Sequence, residues 1–279
     1  MRVLSFLLIA LCSLAAQATE PTAAAPTTTT TSPAPAPVEL FLPGKAGKLQ
    51  AWLWRPSGPG PFPVLVYNHG SERDPIAGTK AAIGPFFVQH GYAVLFPARR
   101  GAGKSEGAFW EDAVNKKPEA EQGRETIAQL VLSNDDIVSA IEWTRAQPWA
   151  QRDQINVAGC SFGGIETLIT AERAIPGLRA AVDFAGASMA WSGNPDLRAR
   201  LVKSAESAKV PVFFLQAEND FNTAPSTTLS EAMRAKKLPT RARIFPPFGT
   251  TPMQGHAGFC MFGTRVWGDD VLSFLRDRH

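Results

Sequence analysis

From residue 38 onward one theme recurs: a short apolar run, a polar or Gly-rich break, then a longer stretch with apolar residues at helical spacing. The runs are Val64-Leu65-Val66-Tyr67, Ala93-Val94-Leu95-Phe96, Ile155-Asn156-Val157-Ala158, Ala180-Ala181-Val182-Asp183-Phe184 and Val212-Phe213-Phe214-Leu215. Near-continuous apolar character, rather than alternation, suits strands covered on both faces. Helices are expected between them over Ala81–His90, Ile137–Arg145, Phe162–Arg173, Leu197–Lys209, Thr228–Lys237 and Val266–Arg276. Gly91 supplies a stop for the first, and Asn134 or Asp135 a cap for the second. Strands alternating with helices call for a mostly parallel sheet with helices on both faces, an α/β fold. Ahead of these, Val38–Leu42 and Leu49–Trp54 flank a Gly-rich turn and read as an antiparallel hairpin. Ala242–Phe245 is a shorter, more exposed candidate strand. One domain of about eight strands, over residues 38–279, accounts for the pattern.

The first residues have a different character. Arg2 precedes an apolar run from Val3 to Ala16, and Ala16-Gln17-Ala18 places small residues where signal peptidase reads, so residues 1–18 are expected to be an export signal cleaved after Ala18. The run is shorter than the roughly 20 residues a spanning helix needs, so no transmembrane segment is expected in the mature chain. Residues 19–37 are almost entirely Thr, Ala and Pro, a composition with nothing to bury, and read as an extended tether. The stretch 105–133 fits the alternation least and reads as an insertion or lid, with Phe109 and Trp110 either facing a substrate or anchoring it. A formal net charge of +3, with both signs interspersed, gives no reason to expect nucleic acid. His69, His90, His256 and His279 are scattered without metal-ligand spacing, and neither metal nor cofactor is expected.

The most specific motif is Gly159-Cys160-Ser161-Phe162-Gly163-Gly164, at the end of one strand-like run and the start of a helix. In that setting G-x-S-x-G is a nucleophile elbow: the turn strains the serine backbone, small neighbours prevent clashes, and Ser161 stands above the sheet at a helix N-terminus. A serine hydroxyl needs a base, and the base a carboxylate. Asp220 follows the run Val212–Leu215 and is the expected acid, with Glu218 its rival. His256, in the Gly-rich segment Gln254–Phe259, is the expected base. Two backbone N–H groups should bind a developing oxyanion. Phe162 supplies one. The other is expected from Ser71, in Asn68-His69-Gly70-Ser71-Glu72, with Gly70 or Glu72 as alternatives and His69 shaping the loop. Gly103-Lys104-Ser105 resembles the tail of a phosphate-binding loop, but Ala98 stands where its first glycine belongs.

With these residues in hand the chain resembles the α/β-hydrolase superfamily. Within it, the resemblance is to dienelactone-hydrolase-like and prolyl-oligopeptidase-related carboxylesterases. It extends from about Leu49 to the C-terminus and rests on Asn68-His69-Gly70, Arg100-Gly101-Ala102-Gly103-Lys104-Ser105-Glu106-Gly107, Gly159–Gly164, Glu218-Asn219-Asp220 and Gly255-His256. The chain departs from a dienelactone hydrolase proper in having serine rather than cysteine at the elbow. It also shows no β-propeller ahead of the catalytic segment and no H-G-G-G run. The resemblance implies hydrolysis of a small-molecule ester through an acyl-enzyme on Ser161. A peptidase or amidase sharing the triad is the alternative within the class, and a non-catalytic binding protein on the same scaffold the alternative outside it. Cys160 and Cys260 adjoin the proposed nucleophile and base, which is similar to tannase-like esterases and implies a disulfide between elbow and histidine loop.

Overall fold

The computed structural model describes residues 36–277. The expected export signal over 1–18, the tether up to residue 35 and His279 lie outside the described residues.

The hairpin expected at the start is β1 (Val38–Gly44) and β2 (Gly47–Trp54), paired antiparallel from Val38↔Leu53 to Gly44↔Gly47. Next come β3 (Phe62–Asn68), a 3-10 turn (Pro75–Lys80), α1 (Ile83–Gln89) and β4 (Ala93–Pro97). They are followed by α2 (Trp110–Val114), α3 (Glu119–Arg145), β5 (Ala150–Cys160) and α4 (Phe162–Ala171). The remainder is β6 (Leu178–Phe184), α5 (Pro195–Ser207), β7 (Val212–Ala217), α6 (Ala224–Ala235), β8 (Thr240–Phe245), a π-helical turn (Gln254–Gly258), α7 (Phe259–Phe262) and α8 (Thr264–Arg276). All eight strands form one sheet in the order β1-β2-β4-β3-β5-β6-β7-β8. β2 meets β4 antiparallel, and from β4 to β8 every pairing is parallel. This is the α/β-hydrolase fold.

Strand side chains alternate between faces, so each run feeds two cores. Val64, Val66, Val157 and Phe214 pack with α3, α4, α5 and α6 on one side. Leu65, Tyr67, Val182, Phe213 and Leu215 pack with α1 and α8 on the other, where Trp267 and Phe274 are fully buried. The edge strand β8 is partly exposed, as expected, the opposite edge β1 more so, and Arg243 and Arg241 on β8 are paired to Asp270 and Asp277 near the end of the chain. Charges on an edge discourage further strand pairing.

The stretch 105–133 differs most from expectation. Its second half is helix: α3 begins at Glu119 and runs unbroken to Arg145. Asn134 and Asp135, expected to cap a helix at Ile137, are interior residues of it. Asn134 is instead buried, donating to the Glu166 carboxylate at 2.9 Å and to Thr170 Oγ1 at 2.9 Å on α4, while Arg173 bonds both Asn134 and Asp135. A polar residue whose partner lies more than thirty positions away looks locally like a cap, and the helix boundary therefore lies further upstream than the local sequence suggests. Among the described residues no helix is long and apolar enough to cross a membrane.

Candidate active site

Every parallel strand delivers its C-terminal end to one rim of the sheet, and the expected site residues collect there. Ser161 sits between β5 and α4 with φ 59° and ψ −117°. A non-glycine residue in that region costs about 1–3 kcal/mol and persists only when its surroundings enforce it. Here the Ser161 N–H donates to the Phe184 carbonyl at 2.9 Å, and its own carbonyl accepts from Gly164 and Ile165 at 2.9 and 3.1 Å. The glycines are a packing requirement. A Cβ on Gly163 would run into the carbonyls of Asn68 and His69, and one on Gly159 into the carbonyl of Gly163. Asn68 reinforces this approach of β3 to α4 by donating to Thr167 Oγ1 at 3.0 Å. Phe162 is the first residue of α4, so its N–H has no acceptor within the helix.

His256 lies in the π-helical turn rather than in an open loop, and its Nδ1 is 2.9 and 3.1 Å from the two carboxylate oxygens of Asp220. Asp220 Oδ1 also accepts from Ser188 Oγ and the Phe221 N–H, each at 2.6 Å, and Oδ2 accepts from Gln216 Nε2 at 2.9 Å. Burial works to raise the Asp220 pKa. The hydrogen bond and charge of His256, with the bonds from Ser188 and Gln216, outweigh it and hold the carboxyl below its ordinary value. An ionised Asp220 keeps the proton on Nδ1 and leaves Nε2 as the basic atom. That Nε2 is buried and has no hydrogen-bond partner among the described residues. His256 lines a cavity of about 370 Å³ that Ser161 also lines. Glu218, the rival acid, is exposed and its backbone merely joins β8. Asn219 between them does structural work: its amide receives Phe248 N–H and donates to the carbonyls of Phe248 and Thr251, tying the acid's loop to the histidine's.

Cys160 and Cys260 form a disulfide, with Cα atoms 5.9 Å apart. The four-residue step from His256 to Cys260 is about one helical turn, and the π turn runs straight into α7, so ring and sulfur share a face. The expected oxyanion loop leaves β3 at Asn68. Ser71 lines the cavity just described and a second one, of about 330 Å³, that Ser161 also lines.

The aromatic residues divide between the two roles. Trp110 lines the second cavity, sets its ring centre 5.0 Å from that of Phe162 at a tilt of 32° and donates its indole N–H to the Ser71 carbonyl at 3.3 Å. Phe109 is an anchor, buried beneath the Arg73 guanidinium, which also grips Asp112. Trp191 and Phe259 are core residues; Phe221 is partly exposed and stands edge-on to His256 at 5.6 Å. The Gly103-Lys104-Ser105 tail braces the hairpin: Lys104 pairs with Glu39, and Ser105 bonds Ala98 and Gln50. Ser188 and Arg99 (which grips the carbonyls of His69 and Gly70) support the site without a signal in the sequence, whereas Gln216 and Asn219 lie in the run that carries Asp220. The spacing of Ser188 and Arg99 carries no signal, because each acts across the fold.

Comparison with known proteins agrees on the scaffold. A secreted triacylglycerol lipase of Malassezia globosa is 31% identical over 120 residues, 39% of this chain and 26% of the lipase. Dipeptidyl aminopeptidase BIII of Pseudoxanthomonas mexicana is 24% identical over 220 residues, 68% of this chain and 30% of the peptidase. The chain therefore spans less than a third of the length of the curated relatives it matches. Among solved structures, an esterase of Pyrobaculum calidifontis superimposes with a TM-score of 0.58 at 18% identity, over 87% of this chain and 85% of the esterase. The expected α/β-hydrolase relationship thus holds, and since residues 45–200 match the family model described as X-Pro dipeptidyl-peptidase (S15 family), the chain belongs to that family.

Proposed function

We propose that this chain is a serine hydrolase that cleaves carboxylic esters, with Ser161 as nucleophile, His256 as general base and Asp220 orienting the imidazole. The observation that carries this reading is His256, held by Asp220 through Nδ1 with its Nε2 unpartnered, lining the same cavity as Ser161. In the first step the Ser161 oxygen attacks the ester carbonyl while Nε2 takes its proton. The tetrahedral oxyanion accepts hydrogen bonds from the N–H groups of Phe162 and Ser71, and the alcohol departs with the proton from Nε2. Water then repeats the sequence and releases the acid.

The leaving group must lie where His256 can protonate it, so it occupies the cavity that His256 lines. The acyl part then lies on the side of Trp110, Phe162, Ile165 and Leu197, where no imidazole reaches. Much of the leaving-group wall is Tyr67, Phe96, Ala77, Ala81, Met253 and Met261. Against those apolar side chains the backbone N–H and C=O groups of a leaving peptide would find few partners, although Glu72 and Asp74 also line the cavity. An apolar alcohol carries no such groups, which favours the ester. A peptidase reading is favoured by a separate observation, the match to the X-Pro dipeptidyl-peptidase family and the likeness to a dipeptidyl aminopeptidase. The two are separated by turnover of p-nitrophenyl esters beside Xaa-Pro p-nitroanilides, with Ser161→Ala as blank. Ester turnover with negligible anilide turnover is expected; efficient release from the anilides would move the assignment to a peptidase.

We also propose that the protein works outside the cytoplasm. The apolar N-terminal run and the Cys160–Cys260 bridge both support an oxidising compartment. N-terminal sequencing of protein recovered from the cell exterior or periplasm should begin at Thr19; an intact Met1 would contradict export.

A further inference from the structure

Arg99 is 3% exposed, among the most buried charged residues in the fold, yet no carboxylate hydrogen-bonds to it among the described residues. A buried guanidinium is costly unless its N–H groups are used, and here they are spent on the backbone of one loop. Nη1 donates to the His69 carbonyl at 2.7 Å, and Nη2 to the Gly70 carbonyl. The Arg99 backbone N–H donates to His69 Nε2 at 3.1 Å, which leaves the His69 proton on Nδ1 and removes that atom as an acceptor for the guanidinium. The guanidinium carbon also lies 5.1 Å from the centre of the Phe162 ring, whose neighbour at 5.0 Å is Trp110.

The consequence follows from peptide geometry. The C=O of Gly70 and the N–H of Ser71 belong to one planar trans unit and point in opposite directions. A donor that fixes the Gly70 carbonyl therefore fixes the direction of the Ser71 N–H, and a hydrogen bond at the oxygen also polarises that N–H as a donor. The neighbouring N–H, that of Gly70, is taken by Glu72 Oε1 at 3.2 Å. That of Ser71 has no acceptor among the described residues. We infer that Arg99 is a positioning residue for oxyanion stabilisation: it clamps the Gly70–Ser71 peptide from behind and holds the Phe162 side chain, so it acts on the residues of both proposed donors. This rests on the proposed acyl-transfer reading, with Ser71 as a donor.

The test begins with fluorophosphonate labelling of wild type, whose absence would reject the hydrolase reading and this inference together. With labelling established, Arg99→Gln and Arg99→Lys are compared with wild type for kcat, KM and thermal midpoint. A trifluoromethyl ketone is titrated as a mimic of the tetrahedral state, and the carboxylic acid product as a ground-state ligand. Losing a direct oxyanion donor typically costs 10²–10³-fold in kcat, so losing its clamp should cost about 10–100-fold. KM and product affinity should stay within about twofold, and ketone affinity should fall by the same factor as kcat/KM. A folded variant with wild-type kcat, or one impaired only through KM, would overturn the inference while leaving the hydrolase reading intact. Should both variants fail to fold, wild type decides: on binding the ketone the Ser71 amide proton should move downfield and that of Gly70 should not. A stationary Ser71 signal would overturn the inference.

Discussion

The Cys160–Cys260 disulfide closes a loop of 100 residues that contains the whole chain from Ser161 to His256. In the chain-entropy model a loop of that length removes about 16 cal/mol/K from the unfolded ensemble, or about 4.7 kcal/mol at 25 °C. For a domain of this size each kcal/mol moves the thermal midpoint by about 2–4 °C, so the bridge is worth roughly 9–19 °C. Both sulfurs are buried, which protects them from reductant in the native state, so a Cys160→Ala/Cys260→Ala double variant is the cleaner perturbation. Urea titration of the variant against wild type should show a loss of about 2–5 kcal/mol with the m-value altered, since the unbridged unfolded chain is more expanded. Wild type unfolded in urea with reductant should fall to the variant's midpoint. Because Cys160 precedes Ser161 and Cys260 lies one turn beyond His256, activity should decline at temperatures where the fold is still intact by circular dichroism. A double variant within about 1 kcal/mol of wild type, unaffected by reductant and fully active, would refute both the entropic and the positioning roles.

Three further outcomes are expected. Asp220→Asn keeps the shape but no longer holds the proton on Nδ1, and should lower kcat by about 10³–10⁴-fold with little change in thermal midpoint; a loss under tenfold would contradict the triad. Asp183, beneath the elbow, accepts the Gly186 N–H at 2.8 Å and has its pKa pushed up to about 7 by burial. Its folded pKa exceeds its unfolded value, so the stabilising effect of its neutral form is fully present below about pH 4 and is lost as pH rises to about 7, at about 1.4 kcal/mol per unit. The stability of Asp183→Asn relative to wild type should therefore increase over that window in urea titrations, and a pH-independent difference would sink the idea. Gly163→Ala drives a methyl into the Asn68 and His69 carbonyls and should destabilise by at least about 2 kcal/mol while misplacing the elbow; a wild-type urea midpoint would show that β3 and α4 can part without penalty.

Much of the fold was legible because its strands are buried on both faces, and continuous runs such as Val64–Tyr67 and Val212–Leu215 have few other uses. Where burial weakened, so did the signal. The first half of α3 and α2 are half-exposed, with charges interrupting their apolar spacing, and they read as an irregular insertion. At the site, Ser161, Asp220 and His256 were recognisable because their chemistry dictates residue type and chain order, and the structure brings the last two within hydrogen-bonding distance. Their supports were not. Ser188 meets Asp220 across 32 positions and Arg99 meets His69 across 30, and a serine or arginine at either place has ordinary local explanations. The π turn carrying His256 was hidden for a related reason: Gly255 signals a loop in sequence, whereas in the fold it admits the Asn219 amide against the turn.

The central claim is that Ser161 is the activated nucleophile. The direct measurement is incubation of the folded protein with a fluorophosphonate probe, followed by peptide mapping by mass spectrometry. One equivalent of adduct on the peptide containing Ser161 is expected, abolished in Ser161→Ala and slowed in His256→Ala. An unlabelled wild-type protein, or an adduct on any other serine, would contradict it.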